Sequence, residues 1–272
     1  MQCRLDRGLI FDVGAHLGED SDFYLKLGYR VVAIEANPDL VTRLAERFES
    51  EIEQGRYVVV SSAIGESNRR VAFYVNETVS VWGTTERKWA IRNDGKGAAS
   101  KRIEVSSIRF EEVLRRHGYP LYMKVDIEGA DLLCVRALEC VDATARPMFV
   151  SIESTKTSWR ALLKEFDAFE RLGYTRFQIV DQRRHSRGSF RTLNQDAIDY
   201  QFEAHASGPF GADLVGPWLT RRQALTRYMR IFVLYKTIGD NTLLRKALRR
   251  VPKTRTILGR VSWYDTHAMK AT

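Results

Sequence analysis

The feature that most constrains this chain is a glycine-spaced loop between an apolar run and a helical segment near the N-terminus. The apolar run Leu9–Phe11 leads into Asp12, and the loop that follows has the spacing Asp-x-Gly-x-x-x-Gly as far as Gly18. A helical segment and a second apolar run, Val31–Ile34, come next. This succession predicts two parallel strands joined by a right-handed helical crossover. Glycine lets the loop backbone approach a ligand closely, and the helix start offers free N–H groups.

Acidic residues at the strand ends narrow the class of ligand. Glu35 follows the second strand, 21 residues after Gly14, where a carboxylate can accept the hydroxyls of a ribose. The glycine spacing differs from the Gly-x-Gly-x-x-Gly of dinucleotide-binding proteins, and Asp12 would repel a pyrophosphate. A cationic nucleoside such as S-adenosylmethionine, with its sulfonium and ammonium groups, suits these residues better. The alternative is an ordinary βαβ unit in which the acid at the strand end has no role in ligand binding.

Apolar runs and helical stripes alternate along the chain as far as Val180. This alternation predicts an α/β fold with a doubly wound, mainly parallel, Rossmann-like sheet. Ligands of such sheets bind beyond the carboxyl ends of the strands. Four carboxylates fall at predicted strand ends: Asp12, Glu35, Asp126 and Glu153.

The C-terminal part of the chain differs in charge from the rest. The formal net charge is +9, yet residues 221–260 hold nine Arg and three Lys against one acid, Asp240. We therefore expect a ligand-binding domain over residues 1–206 and a basic helical extension over residues 207–272, packed on it. Such a segment could meet an anionic glycan, an anionic membrane surface or nucleic acid, or simply be solvated. Nucleic acid is disfavoured because the segment lacks an exposed aromatic pattern.

Cysteine content and hydropathy bear on the compartment. The three cysteines, Cys3, Cys134 and Cys140, form neither an even framework nor a metal-ligand spacing, which favours a reducing environment. No apolar run approaches the ~18–20 residues that a membrane span needs. We expect a cytoplasmic protein, with peripheral contact at the inner membrane face left open.

With these pieces placed, the sequence resembles the FkbM family of class I S-adenosylmethionine-dependent methyltransferases. The similarity covers roughly residues 8–180 and lies in five stretches: FDVGAHLGED (11–20), AIEANPDL (33–40), SSAIG (61–65), KVDIEGAD (124–131) and VSIES (150–154). Family members more often have Asn at position 16, where this chain has His16, and Glu at position 131, where it has Asp131.

The resemblance implies S-adenosylmethionine as cofactor, S-adenosylhomocysteine as product, and usually O-methylation. The expected acceptor is a hydroxyl on a sugar, a glycan or glycolipid, or a natural product. The strand ends and the resemblance together give the expected cofactor-binding residues: Asp12, Gly14, Ala15, His16, Gly18, Glu35, Ala36, Asn37, Ser62, Ala63 and Asp126. There are two alternatives. One is an NAD-dependent oxidoreductase, and the other is a protein that binds nucleic acid or a membrane surface through the basic C-terminal segment.

Methyl transfer to an alcohol requires alignment of the reacting atoms and removal of a proton. Asp126 is the first candidate for the base, followed by Glu128 and Glu153. Asp126 and Glu153 end adjacent predicted strands, so a divalent ion between them is a second possibility. No third ligand can be assigned, and no metal site is predicted.

Overall fold

The chain folds as strands that alternate with helices around one large sheet. The computed structural model describes residues 4–76, 83–85, 87, 91, 100–127, 129–155, 157–182, 187–238 and 264–271. The strands are β1 (Leu5–Val13), β2 (Arg30–Glu35), β3 (Tyr57–Ser61), β4 (Ala63–Ile64), β5 (Arg70–Asn76), β6 (Ser100–Ile108), β7 (Tyr119–Val125), β8 (Phe149–Glu153), β9 (Tyr174–Asp181), β10 (Arg187–Arg191), β11 (Ala197–Gln201) and β12 (Tyr264–Lys270). The α-helices are α1 (Glu19–Lys26), α2 (Pro38–Arg47), α3 (Glu49–Glu53), α4 (Phe110–His117), α5 (Asp131–Ala137), α6 (Trp159–Arg171) and α7 (Arg221–Ile238).

The central sheet has seven strands in the order β3-β2-β1-β7-β8-β12-β9. All neighbours are parallel except β12, which runs antiparallel to both β8 and β9. The strand order reverses between β1 and β7, the position where doubly wound sheets bind ligands. The predicted fold class, a doubly wound and mainly parallel sheet, is confirmed.

Alternating side chains of the central strands fill a core on each face of the sheet. In β1, Ile10 packs on one face, whereas Phe11 and Val13 pack on the other. In β7, Tyr122 packs on the same face as Ile10, and Met123 packs on the same face as Phe11. Because successive side chains of a strand point to opposite faces, an uninterrupted apolar run is what a strand covered on both faces requires.

The C-terminal end of the chain contributes a strand to the central sheet. Residues 264–270 form β12 in the interior of the sheet, not part of a peripheral helical extension. The strand was not apparent from the sequence because Asp265, Thr266 and His267 are polar, although all are buried. Thr266 Oγ1 lies 2.6 Å from both the Ser154 and the Tyr228 hydroxyls, so burial and hydrogen bonding replace hydrophobic contact there.

The basic segment begins as helix α7, and the rest of the segment, residues 239–260, lies outside the described residues. Ala224, Tyr228 and Phe232 of α7 are buried against the core. Arg221 forms ion pairs with Asp167 and Glu170 of α6. Among the described residues, no helix is both long enough and apolar enough to cross a membrane.

A buried glutamate on α6 links stability to pH. Glu165 is 7% exposed, and its Oε1 accepts a hydrogen bond from the backbone N–H of Thr155 at 3.3 Å. Burial raises the pKa of Glu165 to about 8, against the opposing effect of hydrogen bonds from Ser154 and Thr155. The folded state therefore holds a proton on Glu165 that the unfolded chain releases at a lower pH.

We expect Glu165→Gln to reduce the pH dependence of stability. A raised carboxyl pKa means that the folded state loses stability as pH rises from about 4.5 to about 8. At about 1.4 kcal/mol per pKa unit, this loss is on the order of 3–5 kcal/mol. The amide resembles the protonated acid, so urea unfolding of Glu165→Gln should lack this part of the decline. The exposed Glu46→Gln serves as control, and equal slopes in all three proteins would contradict the assignment.

Candidate functional site

A cavity opens where the strand order reverses, beyond the carboxyl ends of β1, β2 and β7. It encloses about 860 Å³, including its open mouth. Nine of the residues predicted to bind a cofactor line it together: Gly14, Ala15, His16, Glu35, Ala36, Asn37, Ser62, Ala63 and Asp126. Topology brings these residues together because the parallel strands that carry them end at one edge of the sheet.

Gly14 lets two strand ends approach each other. Its φ is +82°, in the left-handed region that favours glycine. A Cβ at this position would lie 2.0 Å from the carbonyl oxygen of Asp126. Side chains are therefore excluded from the point where the loop after β1 crosses the end of β7, and we call this Gly14–Asp126 crossing the cavity floor.

His16 also has a left-handed backbone, with φ +51°. Asn, Asp and His are the non-glycine residues that best tolerate this conformation, which explains why His can stand where relatives more often have Asn. The His16 ring Nδ1 lies 2.9 Å from Glu19 Oε1, and Glu19 Oε2 accepts a hydrogen bond from the backbone N–H of Leu17. Burial opposes ionisation of Glu19, but its hydrogen bond with His16 lowers the pKa of that carboxyl.

The Glu35 carboxylate joins the ends of β1 and β2. Its Oε1 accepts hydrogen bonds from the backbone N–H groups of Ala36 and Asn37, and its Oε2 accepts one from His16. Burial raises the pKa of Glu35 while these three hydrogen bonds lower it. A carboxylate has about four acceptor positions, so Glu35 retains about one for a ligand.

Asp12 and Gly18, also predicted to bind the cofactor, do not line the cavity. Asp12 is fully buried; its Oδ2 accepts from Ser21 at 2.7 Å, and its Oδ1 lies 3.4 Å from Lys124 Nζ. The charge that was expected to face a cationic ligand thus faces a lysine. Gly18 precedes α1 with φ +82°, and a Cβ there would lie 2.4 Å from the Phe48 ring. Packing explains that glycine.

Lys124 carries the positive charge beneath the loop. Its Nζ lies 3.4 Å from Asp12, 3.3 Å from Asp20 Oδ2 and 3.3 Å from the Gly14 carbonyl oxygen. Burial alone would lower the pKa of Lys124, but Asp12 and Asp20 raise it well above the usual range. Burial raises the pKa of Asp12 to about 6, with Lys124 opposing the shift.

The turn after β7 holds Asp126 at the cavity wall. Asp131 folds this turn, because its carboxylate accepts the backbone N–H groups of Ile127 and Gly129. Glu128, a predicted catalytic residue, lies outside the described residues. Glu153 ends the strand next to β7, as predicted, but it does not line the cavity. Its register partner on β12 is Asp265, whose pKa is raised first by burial and then by Asp126.

Other side chains complete a site that suits a cationic nucleoside. Four apolar side chains, Ile34, Leu40, Ile64 and Phe73, can cover a flat ring, while the acids Glu19 and Asp20 stand near the glycine loop. These two acids, Lys124 and the apolar set were missed as site residues, although several lie in motif stretches. The exposed His205 also lines the cavity. It lies far along the sequence from the stretches that predicted the site, so no local pattern indicated its role there. Within the described ranges, no group of three or more His, Cys, Asp or Glu side chains could hold a metal ion.

The sequence match decides the family. The model of the methyltransferase FkbM domain matches residues 12–176, more than half of the chain. The chain belongs to the FkbM methyltransferase domain family. The resemblance seen in the sequence is therefore confirmed, and with it S-adenosylmethionine as the cofactor. The matched range contains every residue predicted for the site and ends before β10, β11, α7 and β12.

Three solved structures similar to this FkbM-domain chain are methyltransferases of low sequence identity. An S-adenosylmethionine-dependent O-methyltransferase from Thermotoga maritima is 8% identical, with 98% of this chain and 61% of that chain covered and a TM-score of 0.39. A methyltransferase from Thiobacillus denitrificans in complex with S-adenosyl-L-homocysteine is 10% identical, with coverages of 98% and 87% and a TM-score of 0.35. A precorrin-6y C5,15-methyltransferase from Geobacter metallireducens is 11% identical, with coverages of 72% and 77% and a TM-score of 0.36. No curated protein matches the chain.

Gly14→Ala should damage the cavity floor more than a left-handed glycine does elsewhere. Gly55 has φ +69° with no atom within 4 Å of an added Cβ, so Gly55→Ala isolates the backbone strain. We expect Gly55→Ala to cost ~1–2 kcal/mol in urea unfolding with unchanged affinity for S-adenosylhomocysteine. Gly14→Ala adds the clash with Asp126 and should lower that affinity at least ~10-fold, about 1.4 kcal/mol. Equal affinities in calorimetry would show that the floor does not contact the ligand.

Proposed function

We propose that this chain is an S-adenosylmethionine-dependent O-methyltransferase, with a hydroxyl of a sugar, glycan, glycolipid or natural product as acceptor. The observation that carries the proposal is the position of Asp126, a carboxylate on the wall of the cavity that also holds Gly14 and Glu35. An alcohol must lose a proton as its oxygen is methylated, and a carboxylate beside the acceptor can take it. The family assignment favours methyl transfer over the oxidoreductase alternative.

Three parts of the cavity would hold the cofactor. Glu35 would accept a ribose hydroxyl, the apolar side chains around Phe73 would cover the adenine, and Glu19 and Asp20 would face the ammonium group. Asp20 also accepts the backbone N–H of Ser207 at 2.8 Å, which ties the segment before α7 to this end of the cavity. The geometry and charge of these groups fit S-adenosylmethionine.

When bound, S-adenosylmethionine supplies a methyl group whose bond to sulfur breaks, with the electron pair going to sulfur, as the acceptor oxygen forms the new carbon–oxygen bond. Asp126 would orient the acceptor hydroxyl and receive its proton. Lys124 is unsuited to that task because Asp12 and Asp20 keep it protonated. Its place is to hold the Gly14 loop against β7.

Glu35→Ala should weaken the binding of S-adenosylhomocysteine by about 1.5–3 kcal/mol, the scale for a hydrogen bond to a charged group. Part of this loss arises because three backbone N–H groups lose their acceptor. Calorimetry measures the affinity, with the exposed Glu46→Ala as control. Unchanged affinity would remove Glu35 from the site, and binding of NADH in place of S-adenosylhomocysteine would overturn the class.

Asp126→Asn keeps the shape of the side chain and removes its charge. We expect turnover to fall at least ~100-fold, the usual scale for loss of a general base, while S-adenosylhomocysteine still binds. Release of S-adenosylhomocysteine with a pool of carbohydrate acceptors measures turnover, and Asp196→Asn, on an exposed loop, is the control. Near-normal turnover would end the candidacy of Asp126. Activity that EDTA abolishes and Mg²⁺ restores would show that a metal ion, not a carboxylate base, activates the hydroxyl.

A further inference from the structure

A second, wider groove adjoins the cofactor cavity. It lies between the small sheet of β4, β5 and β6 and the helix α5, and it encloses about 1510 Å³, including open space. Ile64, Thr85 and Ala130 line both the groove and the cavity. The groove and the cavity therefore adjoin at these three residues, and a methyl acceptor must likewise lie next to its donor.

The groove and the cavity carry opposite charge. Glu19, Asp20, Glu35 and Asp126 line the cavity, with Lys124 as its only lining Lys or Arg among the described residues. Among the described residues, the groove is lined by three arginines, Arg69, Arg70 and Arg136, and by one acid, Glu66. A cationic donor matches the first surface, and an anionic acceptor matches the second.

Two of the three groove arginines are available to a ligand. Arg70 is already engaged, because its Nη2 donates to the Glu104 carbonyl oxygen at 2.9 Å and its Nε lies 3.6 Å from the Glu104 carboxylate. Across the described residues, the side chains of Arg69 and Arg136 make neither an ion pair nor a hydrogen bond, and both are exposed. They come from different elements, the turn before β5 and the helix α5.

Part of the groove lining is apolar and aromatic. Leu132, Leu133, Val71 and Tyr74 line the groove and are half-buried. Such a surface can cover the apolar face of a ring, and guanidinium groups bind carboxylate or phosphate through paired hydrogen bonds. The combination suits a ring-bearing molecule with an anionic substituent better than a neutral glycan.

We propose that the acceptor carries an oxyanion, a phosphate or a carboxylate, which Arg69 and Arg136 bind in the groove. The acceptor hydroxyl then reaches the cavity through the wall that contains Ala130, towards Asp126. This inference rests on the proposed methyltransferase function and narrows its acceptor to an anionic one.

The test compares Arg69→Gln/Arg136→Gln with Arg227→Gln/Arg230→Gln. The control pair removes two exposed arginines from α7, which packs against β9 at the far edge of the sheet. Net charge therefore changes equally in both variants. Calorimetry first measures S-adenosylhomocysteine binding to all three proteins. Glucose 6-phosphate, glucuronate and glucose are then titrated at low ionic strength with S-adenosylhomocysteine present.

We expect an anionic probe to bind the parent at least ~10-fold more tightly than glucose does, and the groove variant to lose at least ~10-fold of that affinity. The control variant should keep nearly all of its affinity for the anionic probe. Preference for glucose 6-phosphate identifies the oxyanion as phosphate, and preference for glucuronate identifies it as carboxylate. The inference is overturned if glucose binds as tightly, if no anion binds, or if the control pair loses as much.

The S-adenosylhomocysteine titration separates the two levels of the proposal. If S-adenosylhomocysteine binds all three proteins and the anionic probes fail, only the anionic acceptor is overturned. If the parent does not bind S-adenosylhomocysteine, the proposed function fails, and the acceptor assignment fails with it.

Discussion

The site depends on a buried ammonium group between two buried carboxylates. Lys124 reaches from β7 to Asp12 at the end of β1, to Asp20 on α1, and to the Gly14 carbonyl oxygen. Removal of three charged groups from water costs several kcal/mol per ion, and close pairing is what offsets it. The cluster therefore ties α1 to the paired strands β1 and β7, directly beside the cavity.

The glycine loop and Glu35 complete this arrangement. Gly14 can cross the end of β7 only because it lacks a Cβ, and Glu35 collects the backbone N–H groups of the two loops that leave β1 and β2. The same carboxylate thus organises the loop and lines the cavity. A buried acid that satisfies backbone donors holds them in fixed positions, which limits reorganisation when a ligand binds.

The cavity and the groove differ in charge, and this difference supports the proposed chemistry. Acids dominate the cavity, whereas arginines line the groove across the Ala130 wall. In FkbM-domain chains the cofactor is cationic, so an acidic cavity assists its binding. A guanidinium-lined groove beside it would favour the anionic acceptor proposed above, so that charge alone would direct donor and acceptor to different places.

The sequence alone determined the doubly wound class and nine of the residues that line the cavity, because apolar periodicity and strand-end acids are local signals. Only the tertiary structure decided three further points. Asp12 lies under the cavity because Lys124, 112 residues away, neutralises it. The polar strand β12 enters the sheet because Thr266 forms hydrogen bonds with Ser154, directly after β8, and with Tyr228 on α7. Arg69 and Arg136 share a groove because β-strand and helix packing joins them. Each depends on contacts between residues far apart in the chain, which local pattern does not encode.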